Sequence, residues 1–173
     1  KGDRVKMGRI QSIEELPQKI NFKIAFVNIN KAKNISRGAG YVAASIMQAG
    51  YDLKFYDTFY YPIEKISQEI LLENFDILMI SSMSMLFRDA LKLISLVKKE
   101  RNISVLIGGY HTTILKEKIL YDNPEIDYCC IGEGEDMVID FLKNFEKLSF
   151  TNVPNLIYRE EGKIISNPIK DPQ

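Results

Sequence analysis

The stretch Val105-Leu106-Ile107-Gly108-Gly109-Tyr110-His111-Thr112-Thr113 predicts a short buried strand that ends at a pair of glycines and continues into a polar turn. The turn contains the only histidine of the chain. Glycine adopts backbone conformations that are closed to other residues, and it lets another group approach the backbone closely. Because ligands of parallel α/β sheets bind at the carboxyl ends of the strands, the rest of the chain is expected to present similar turns at this edge.

Strands and helices alternate through residues 23–150, which are expected to form one α/β domain. Apolar runs predict strands over residues 24–28, 53–57, 77–81, 103–107 and 128–131. Apolar residues at helical spacing, with closing glycines or prolines, predict helices over residues 40–50, 63–73, 88–101, 115–121 and 137–145. Such alternation favours a five-stranded parallel doubly wound sheet, flavodoxin-like, with strand order 2-1-3-4-5 and helices on both faces.

The two ends of the chain differ from this pattern. Residues 1–22 are expected to form an N-terminal arm, in which Ser12 and Glu15 are spaced as a capping box for a short helix. In residues 151–173, the glycine turn Glu160-Glu161-Gly162 between two apolar runs predicts a C-terminal β-hairpin. Asn167-Pro168 and Asp171-Pro172 then predict a linker after the hairpin.

Composition argues against several classes of partner. Basic and acidic residues number 23 each, so no net charge attracts nucleic acid or an anionic membrane surface. No apolar run approaches the ~20 residues needed to span a bilayer, and no secretion signal is recognised at the start, so a cytoplasmic location is expected. The adjacent Cys129 and Cys130 point to opposite faces of a strand, which predicts buried structural thiols rather than a disulfide or a zinc site.

Four turns follow strands one, three, four and five, and all four are rich in small residues. They are Gly38-Ala39-Gly40, Ser81-Ser82-Met83-Ser84, Gly108-Gly109-Tyr110-His111 and Gly132-Glu133-Gly134-Glu135. In a 2-1-3-4-5 sheet these turns share one edge. Small residues there leave a broad platform, which suits a large planar or extended ligand better than a single phosphate.

Several familiar active sites are excluded. The first turn lacks the third glycine of a dinucleotide fingerprint, and the chain contains neither a Walker sequence nor a Gly-x-Ser-x-Gly elbow. His111 alone cannot hold a metal, and Glu133 and Glu135 are spaced as ordinary caps of a helix start. The sequence therefore predicts no catalytic residue and no metal ligand in this chain.

The motifs together resemble the N-terminal cobalamin-binding domain of cobalamin-dependent radical S-adenosylmethionine enzymes, over most of residues 23–170. The resemblance rests on three pairs of runs: Gly108-Gly109-Tyr110-His111 with Gly132-Glu133-Gly134-Glu135, Gly40-Tyr41-Val42-Ala43-Ala44 with Ala49-Gly50-Tyr51, and Asn155-Leu156-Ile157-Tyr158-Arg159 before Gly162-Lys163-Ile164. It implies that cobalamin is bound at the carboxyl ends of the strands. The implied cofactor-binding residues are Gly38, Gly40, Tyr41, Ser81, Ser82, Met83, Ser84, Gly108, Gly109, Tyr110, His111, Gly132, Glu133 and Gly134.

The chain departs from the wider cobalamin-binding fold in its first loop. That fold has Asp-x-His-x-x-Gly after strand one, and residues 30–38 contain neither this aspartate nor this histidine. The resemblance then implies that cobalt receives no imidazole from the first loop. Thr112 stands where the family usually has proline, and we expect it to loosen the turn.

The catalytic half of such enzymes holds an iron–sulfur cluster through Cys-x-x-x-Cys-x-x-Cys, and this chain has only two cysteines. The resemblance therefore implies a partner domain in the same parent chain that carries the cluster and S-adenosylmethionine and catalyses methyl transfer or a ring-forming oxidation. Two alternatives stay open at this point. One is a flavodoxin-like or receiver-like domain that binds another ligand or a protein partner. The other is a domain that keeps the fold without the cofactor.

Overall fold

The computed structural model describes residues 22–33 and 36–170. The expected capping box at Ser12 and Glu15 lies outside these residues. The described strands are β1 (Lys23–Asn28), β2 (Asp52–Asp57), β3 (Ile77–Ser81), β4 (Ser104–Gly108), β5 (Tyr128–Cys130), β6 (Leu156–Glu160) and β7 (Lys163–Ser166). The described helices are α1 (Arg37–Gln48), α2 (Ile63–Glu73), α3 (Phe87–Lys98), α4 (Tyr110–Leu115), α5 (Lys118–Asp122) and α6 (Glu135–Phe145), and a 3-10 turn at Ser84–Leu86 precedes α3.

All the described strands belong to one mixed sheet with the order β2-β1-β3-β4-β5-β6-β7. The first five strands are parallel and follow the order 2-1-3-4-5. The α/β class and the mostly parallel sheet are thus as predicted, but the count of five strands is wrong, since the sheet has seven. The reason is that β6 pairs antiparallel with β5, which joins the hairpin to the sheet.

The hairpin covers a strand that would otherwise be an open edge. Strand β5 has three residues, and its outer side is paired by β6, whose Ile157 and Tyr158 are buried. The Arg159 guanidinium donates hydrogen bonds to the carbonyl oxygens of Leu120, Asn123 and Ile126, which precede β5. An edge covered in this way does not offer its backbone to other chains.

Helices cover both faces of the sheet. Residues of α1 and α6, such as Ile46 and Phe141, pack with one set of strand side chains. Residues of α2, α3 and α5 pack with the alternate set on the other face. The near-continuous burial of β1, from Ile24 to Asn28, follows from this double covering.

Three predicted helices start two or more residues earlier than expected. Helix α1 begins at Arg37, so Gly38 and Gly40 lie in its first turn and not in a loop. Helix α6 begins at Glu135, where acidic residues in the first turn interact favourably with the helix dipole. Gly109 redirects the chain with a φ of +109°, and α4 begins at the next residue. The helix predicted over residues 115–121 is two short helices, because Lys116, with a φ of +49°, ends α4 before α5 begins. Within the described residues, no helix has the length and apolar character needed to cross a membrane.

Candidate functional site

A cavity of about 480 Å³ opens at the carboxyl ends of β1, β3, β4 and β5 and continues between the sheet and helices α1 and α6. This size falls within the range of small-molecule and cofactor sites. All four of the predicted turns contribute residues to it. The structure therefore brings the four turns to one edge, as the strand order requires.

The floor of the cavity is apolar. Phe26, Met79 and Leu106 lie side by side on three neighbouring parallel strands and are 4%, 1% and 5% exposed. Val42 of α1 and Val138 of α6 form the facing wall. The strand residues share a face because successive side chains of a strand alternate between the two sides of the sheet.

One step nearer the carboxyl edge, the layer above the floor is small and polar. Asn28, Ser81 and Gly108 are in register across β1, β3 and β4. At the mouth, beyond the strand ends, Met83 and Tyr110 are largely exposed. The cavity is thus layered, with an apolar base, a polar middle and an exposed apolar rim.

The turns after β3 and β4 fit closely against each other at Gly109. A Cβ atom on Gly109 would lie 2.5 Å from the carbonyl oxygen of Ser82, and the φ of Gly109 is +109°, which only glycine adopts easily. The Ser82 amide donates to the carbonyl oxygen of Gly108 at 3.1 Å. Both the space and the backbone conformation therefore require glycine at this position.

Two threonines connect the turn after β4 to the turn after β5. The buried Thr112 hydroxyl lies 2.8 Å from the carbonyl oxygens of both Gly109 and Cys130. The Thr113 hydroxyl accepts a hydrogen bond from the Gly132 amide at 3.0 Å. Thr112 thus ties the two turns together, contrary to the expectation that it loosens the turn.

A cluster of polar side chains holds the start of the first loop. The buried Asp57 carboxylate accepts hydrogen bonds from the side-chain amides of Asn28 at 2.8 Å and Asn30 at 3.3 Å. The Thr58 hydroxyl accepts a hydrogen bond from the backbone N–H of Asn30 at 2.7 Å. The ends of β1 and β2 are therefore joined beside the cavity through side chains as well as through the ladder.

Most of the predicted site residues line the cavity. They are Gly38, Ser81, Ser82, Met83, Gly108, Gly109, Tyr110, Gly132, Glu133 and Gly134. Four predicted residues do not line it, namely Gly40, Tyr41, Ser84 and His111. The His111 ring instead lies against Phe87 of α3 with the ring centres 4.3 Å apart, and burial lowers its pKa.

Several residues that line the cavity were not among the predicted set. They are Phe26, Asn28, Ile29, Asn30, Ser36, Ala39, Val42, Met79, Ile80, Leu106, Thr113, Cys130, Glu135 and Val138. The alternation of side chains along a strand would have placed Phe26, Met79 and Leu106 on one face, given the register. The register itself is a tertiary property, which the apolar runs do not reveal.

The thiols and acids near the cavity do not form a reactive cluster. Burial raises the pKa of Cys130 to about 12 and raises that of Cys129 well above its usual value, so both thiols are protonated at neutral pH. Both thiols are buried, as predicted. Within the described part of the chain, no three histidine, cysteine or acidic side chains are grouped so as to hold a metal ion.

Comparison with known structures shows the same fold in larger proteins. The cobalamin-dependent S-adenosylmethionine radical enzyme OxsB, with aqua-cobalamin and S-adenosylmethionine bound, aligns with a TM-score of 0.76 and 17% identity over 87% of this chain and 22% of its own. The radical S-adenosylmethionine methyltransferase TsrM from Kitasatospora setae, with cobalamin and a [4Fe-4S] cluster bound, aligns with a TM-score of 0.73 and 13% identity over 86% of this chain and 29% of its own. This chain thus spans less than a third of either protein.

Comparison of the sequence with curated proteins returned no match. The family model described as the B12 binding domain matches residues 30–142, which include all four turns of the cavity. The match confirms the resemblance to a cobalamin-binding domain and does not favour the flavodoxin-like or receiver-like alternatives. The chain belongs to the B12-binding domain family.

Proposed function

We propose that this chain is the cobalamin-binding module of a larger cobalamin-dependent radical S-adenosylmethionine enzyme. The observation that carries the proposal is the layered cavity at the carboxyl ends of the parallel strands, in a chain that belongs to the B12-binding domain family. Cobalamin is a flat macrocycle with a nucleotide tail, and it needs both a platform and a deep slot.

The residues of the cavity fit these two needs. The lack of side chains at Gly108 and Gly109 lets the turns of β3, β4 and β5 pack closely at the edge of the cavity, since a Cβ would lie 2.5 Å from the Ser82 carbonyl oxygen on Gly109 and 3.3 Å from the Cβ of Cys130 on Gly108. The slot is the part of the cavity between the sheet and helices α1 and α6. We assign the slot to the nucleotide tail, with Ser81 and Ser82 as hydrogen-bonding partners. Met83 and Tyr110, exposed at the mouth, are assigned to the macrocycle. When bound, cobalamin supplies a cobalt centre that can carry a methyl group.

Cobalt is proposed to receive no imidazole from this chain. The only histidine is His111, which does not line the cavity and contacts Phe87. The first loop offers amides in place of imidazole, and those of Asn28 and Asn30 are bonded to Asp57. A nucleotide tail held in the slot would carry its base away from the macrocycle.

The catalytic domain is proposed to lie elsewhere in the parent chain. This chain covers 22% of OxsB and 29% of TsrM, which leaves most of such a protein to other domains. We assign the iron–sulfur cluster, S-adenosylmethionine and the reaction, methyl transfer or ring-forming oxidation, to the radical S-adenosylmethionine domain. A cytoplasmic location without nucleic-acid or membrane partners is proposed as well. The 23 basic and 23 acidic residues support the part about partners, because no net charge attracts a polyanion.

The test is retention of cobalamin by the purified chain. Hydroxocobalamin is added in excess, free corrinoid is removed by desalting, and the visible spectrum is recorded. We expect about one corrinoid per chain, and no retained corrinoid would refute the proposal. Two variants of α1 form a matched pair: Ala39→Phe fills the wall of the cavity and is expected to abolish retention, whereas Ala44→Phe adds the same ring at an exposed position and is expected to preserve it.

A further inference from the structure

The polar groups of the cavity are confined to its upper part. The side chains that line the cavity and carry nitrogen or oxygen are Asn28, Asn30, Ser36, Ser81, Ser82, Tyr110, Thr113, Glu133 and Glu135. All of them lie in the last positions of the strands, in the turns, or at helix starts. None is in the layer formed by Phe26, Met79 and Leu106.

Several of these upper groups already have partners within the protein. The Asn28 amide donates to Asp57, the Ser82 hydroxyl donates to the carbonyl oxygen of Met83, and the Thr113 hydroxyl accepts from the Gly132 amide. The backbone beside the floor is also used, because the parallel ladders pair β1 with β3 and β3 with β4 along this layer. A polar ligand group that reaches the floor is therefore surrounded by apolar side chains and has few hydrogen-bond partners there.

Corrinoids differ in the base at the end of the nucleotide tail, and this base is the part that would meet the apolar floor. Benzimidazole bases carry two ring nitrogens, one of which is bonded to the ribose. Adenine adds two further ring nitrogens and an exocyclic amine, and each of these loses its water on entering an apolar floor. Buried polar groups without hydrogen-bond partners are strongly disfavoured, whereas an apolar ring gains from burial.

We propose that the floor of this cavity selects corrinoids with an apolar bicyclic lower base, of the benzimidazole type, over corrinoids with a purine base. The inference rests on the proposed function and deepens it by naming the chemical class of corrinoid. The floor residues Phe26, Met79 and Leu106 are then specificity-determining, and the polar layer above them serves the sugar and phosphate common to both classes. Discrimination by an apolar pocket against added polar groups is about 10- to 100-fold in affinity.

The experiment compares three corrinoids on the full chain by titration with absorbance detection. They are cobalamin, the adenine-containing cobamide and cobinamide, which lacks the nucleotide. The fraction of each free corrinoid with its base detached from cobalt is read from its own spectrum and used to correct each Kd, so that only the contribution of the cavity is compared. We expect cobalamin to bind at least about tenfold more tightly than the adenine form.

The possible results separate the selectivity for the lower base from the proposed function itself. Equal affinities for the two complete corrinoids, or tighter binding of the adenine form, would refute the inference and leave the proposed function standing. Cobalamin binding no tighter than cobinamide would refute it as well, because the base would then not reach the floor. Binding of none of the three would refute the proposed function itself, and the inference with it.

Variants of the floor test whether these side chains are responsible. Met79→Gln keeps the size and unbranched shape of the side chain but brings a donor and an acceptor to the floor, and we expect it to shrink the ratio of the two affinities severalfold. Met79→Leu is the apolar control and is expected to preserve the ratio. If Met79→Gln does not fold, as judged by circular dichroism, the half-buried Val42 provides a second pair, Val42→Thr and Val42→Ala, with the same expectation. An unchanged ratio in the polar variants would contradict the assignment.

Discussion

Gly109 is the residue at which the turns after β3 and β4 meet. We predict that Gly109→Ala lowers the free energy of unfolding by roughly 2–4 kcal/mol, through the positive φ and the overpacked contact together. The φ is +109°, and the new Cβ would lie 2.5 Å from the Ser82 carbonyl oxygen. Urea unfolding monitored by circular dichroism measures the change, and retention of hydroxocobalamin is expected to fall with it.

Gly38→Ala is the matched control for this substitution. Gly38 lies in the first turn of α1, and a Cβ there has no atom within 4 Å. Alanine is favoured over glycine in helices by up to about 1 kcal/mol, so this variant is expected to be as stable as the parent or slightly more stable. A loss at Gly38 as large as that at Gly109 would mean that the contact with Ser82 is not the cause.

His111 is predicted to have no bond to cobalt. Its ring contacts Phe87 and does not line the cavity, so His111→Ala is expected to leave the visible spectrum of the bound corrinoid unchanged. A spectral change in the variant would overturn this assignment.

Some residues that line the cavity can be recognised from the sequence, and others cannot. Glycine and serine after a strand are recognisable by type, because a turn and a close approach need them, and Ser81, Gly108 and Gly109, which line the cavity, are recognisable in this way. Phe26 and Met79 look like any core residue, and only the register of neighbouring strands shows that they share the floor. Tyr41 was predicted at the site, yet its position on α1 leaves it 62% exposed and outside the cavity.

At the scale of the elements, the hairpin is attached to the rest of the sheet by the side chain of Arg159 as well as by the ladder between β5 and β6. We predict that Arg159→Ala lowers the free energy of unfolding by about 1–3 kcal/mol, because the carbonyl groups of Leu120 and Ile126, both buried residues before β5, lose their side-chain donor. In the parent chain, the guanidinium donates hydrogen bonds to the carbonyl oxygens of Leu120, Asn123 and Ile126. Lys163→Ala, which removes an exposed cation from the other strand of the same hairpin, is expected to have little effect. Urea unfolding distinguishes the two, and equal losses would contradict the role given to Arg159.

The elements themselves were predictable to different degrees. Helix α2 and strand β3 begin and end where their apolar patterns do. The hairpin was visible as two apolar runs around Gly162, but nothing in the runs indicates that β6 pairs with β5, because an antiparallel partner is chosen by tertiary packing. Helix α4 was missed because its start depends on the backbone conformation of a single residue, Gly109.

At the scale of the whole molecule, the strand order followed from the alternation of strands and helices. Right-handed crossovers and short connections leave few arrangements, and 2-1-3-4-5 is a common one. The parallel orientation of strands in this order places the four turns on one edge, so the location of the cavity was predictable. Its layered interior was not, since that depends on how α1 and α6 lie over the sheet.

The cavity joins parts of the molecule that are far apart in sequence, which predicts a global response to cobalamin. Its lining comes from four parallel strands and three helices around one continuous sheet, so a ligand bound there should stabilise the whole fold and not one loop. At a free concentration 100 times the Kd, the free energy of unfolding should rise by about 2.7 kcal/mol. Thermal unfolding with and without hydroxocobalamin measures this, and the Tm should rise in a single transition for the parent chain but not for Ala39→Phe. A second transition that appears only with ligand would show that the hairpin half unfolds independently, and would contradict the view of the seven strands as one cooperative unit.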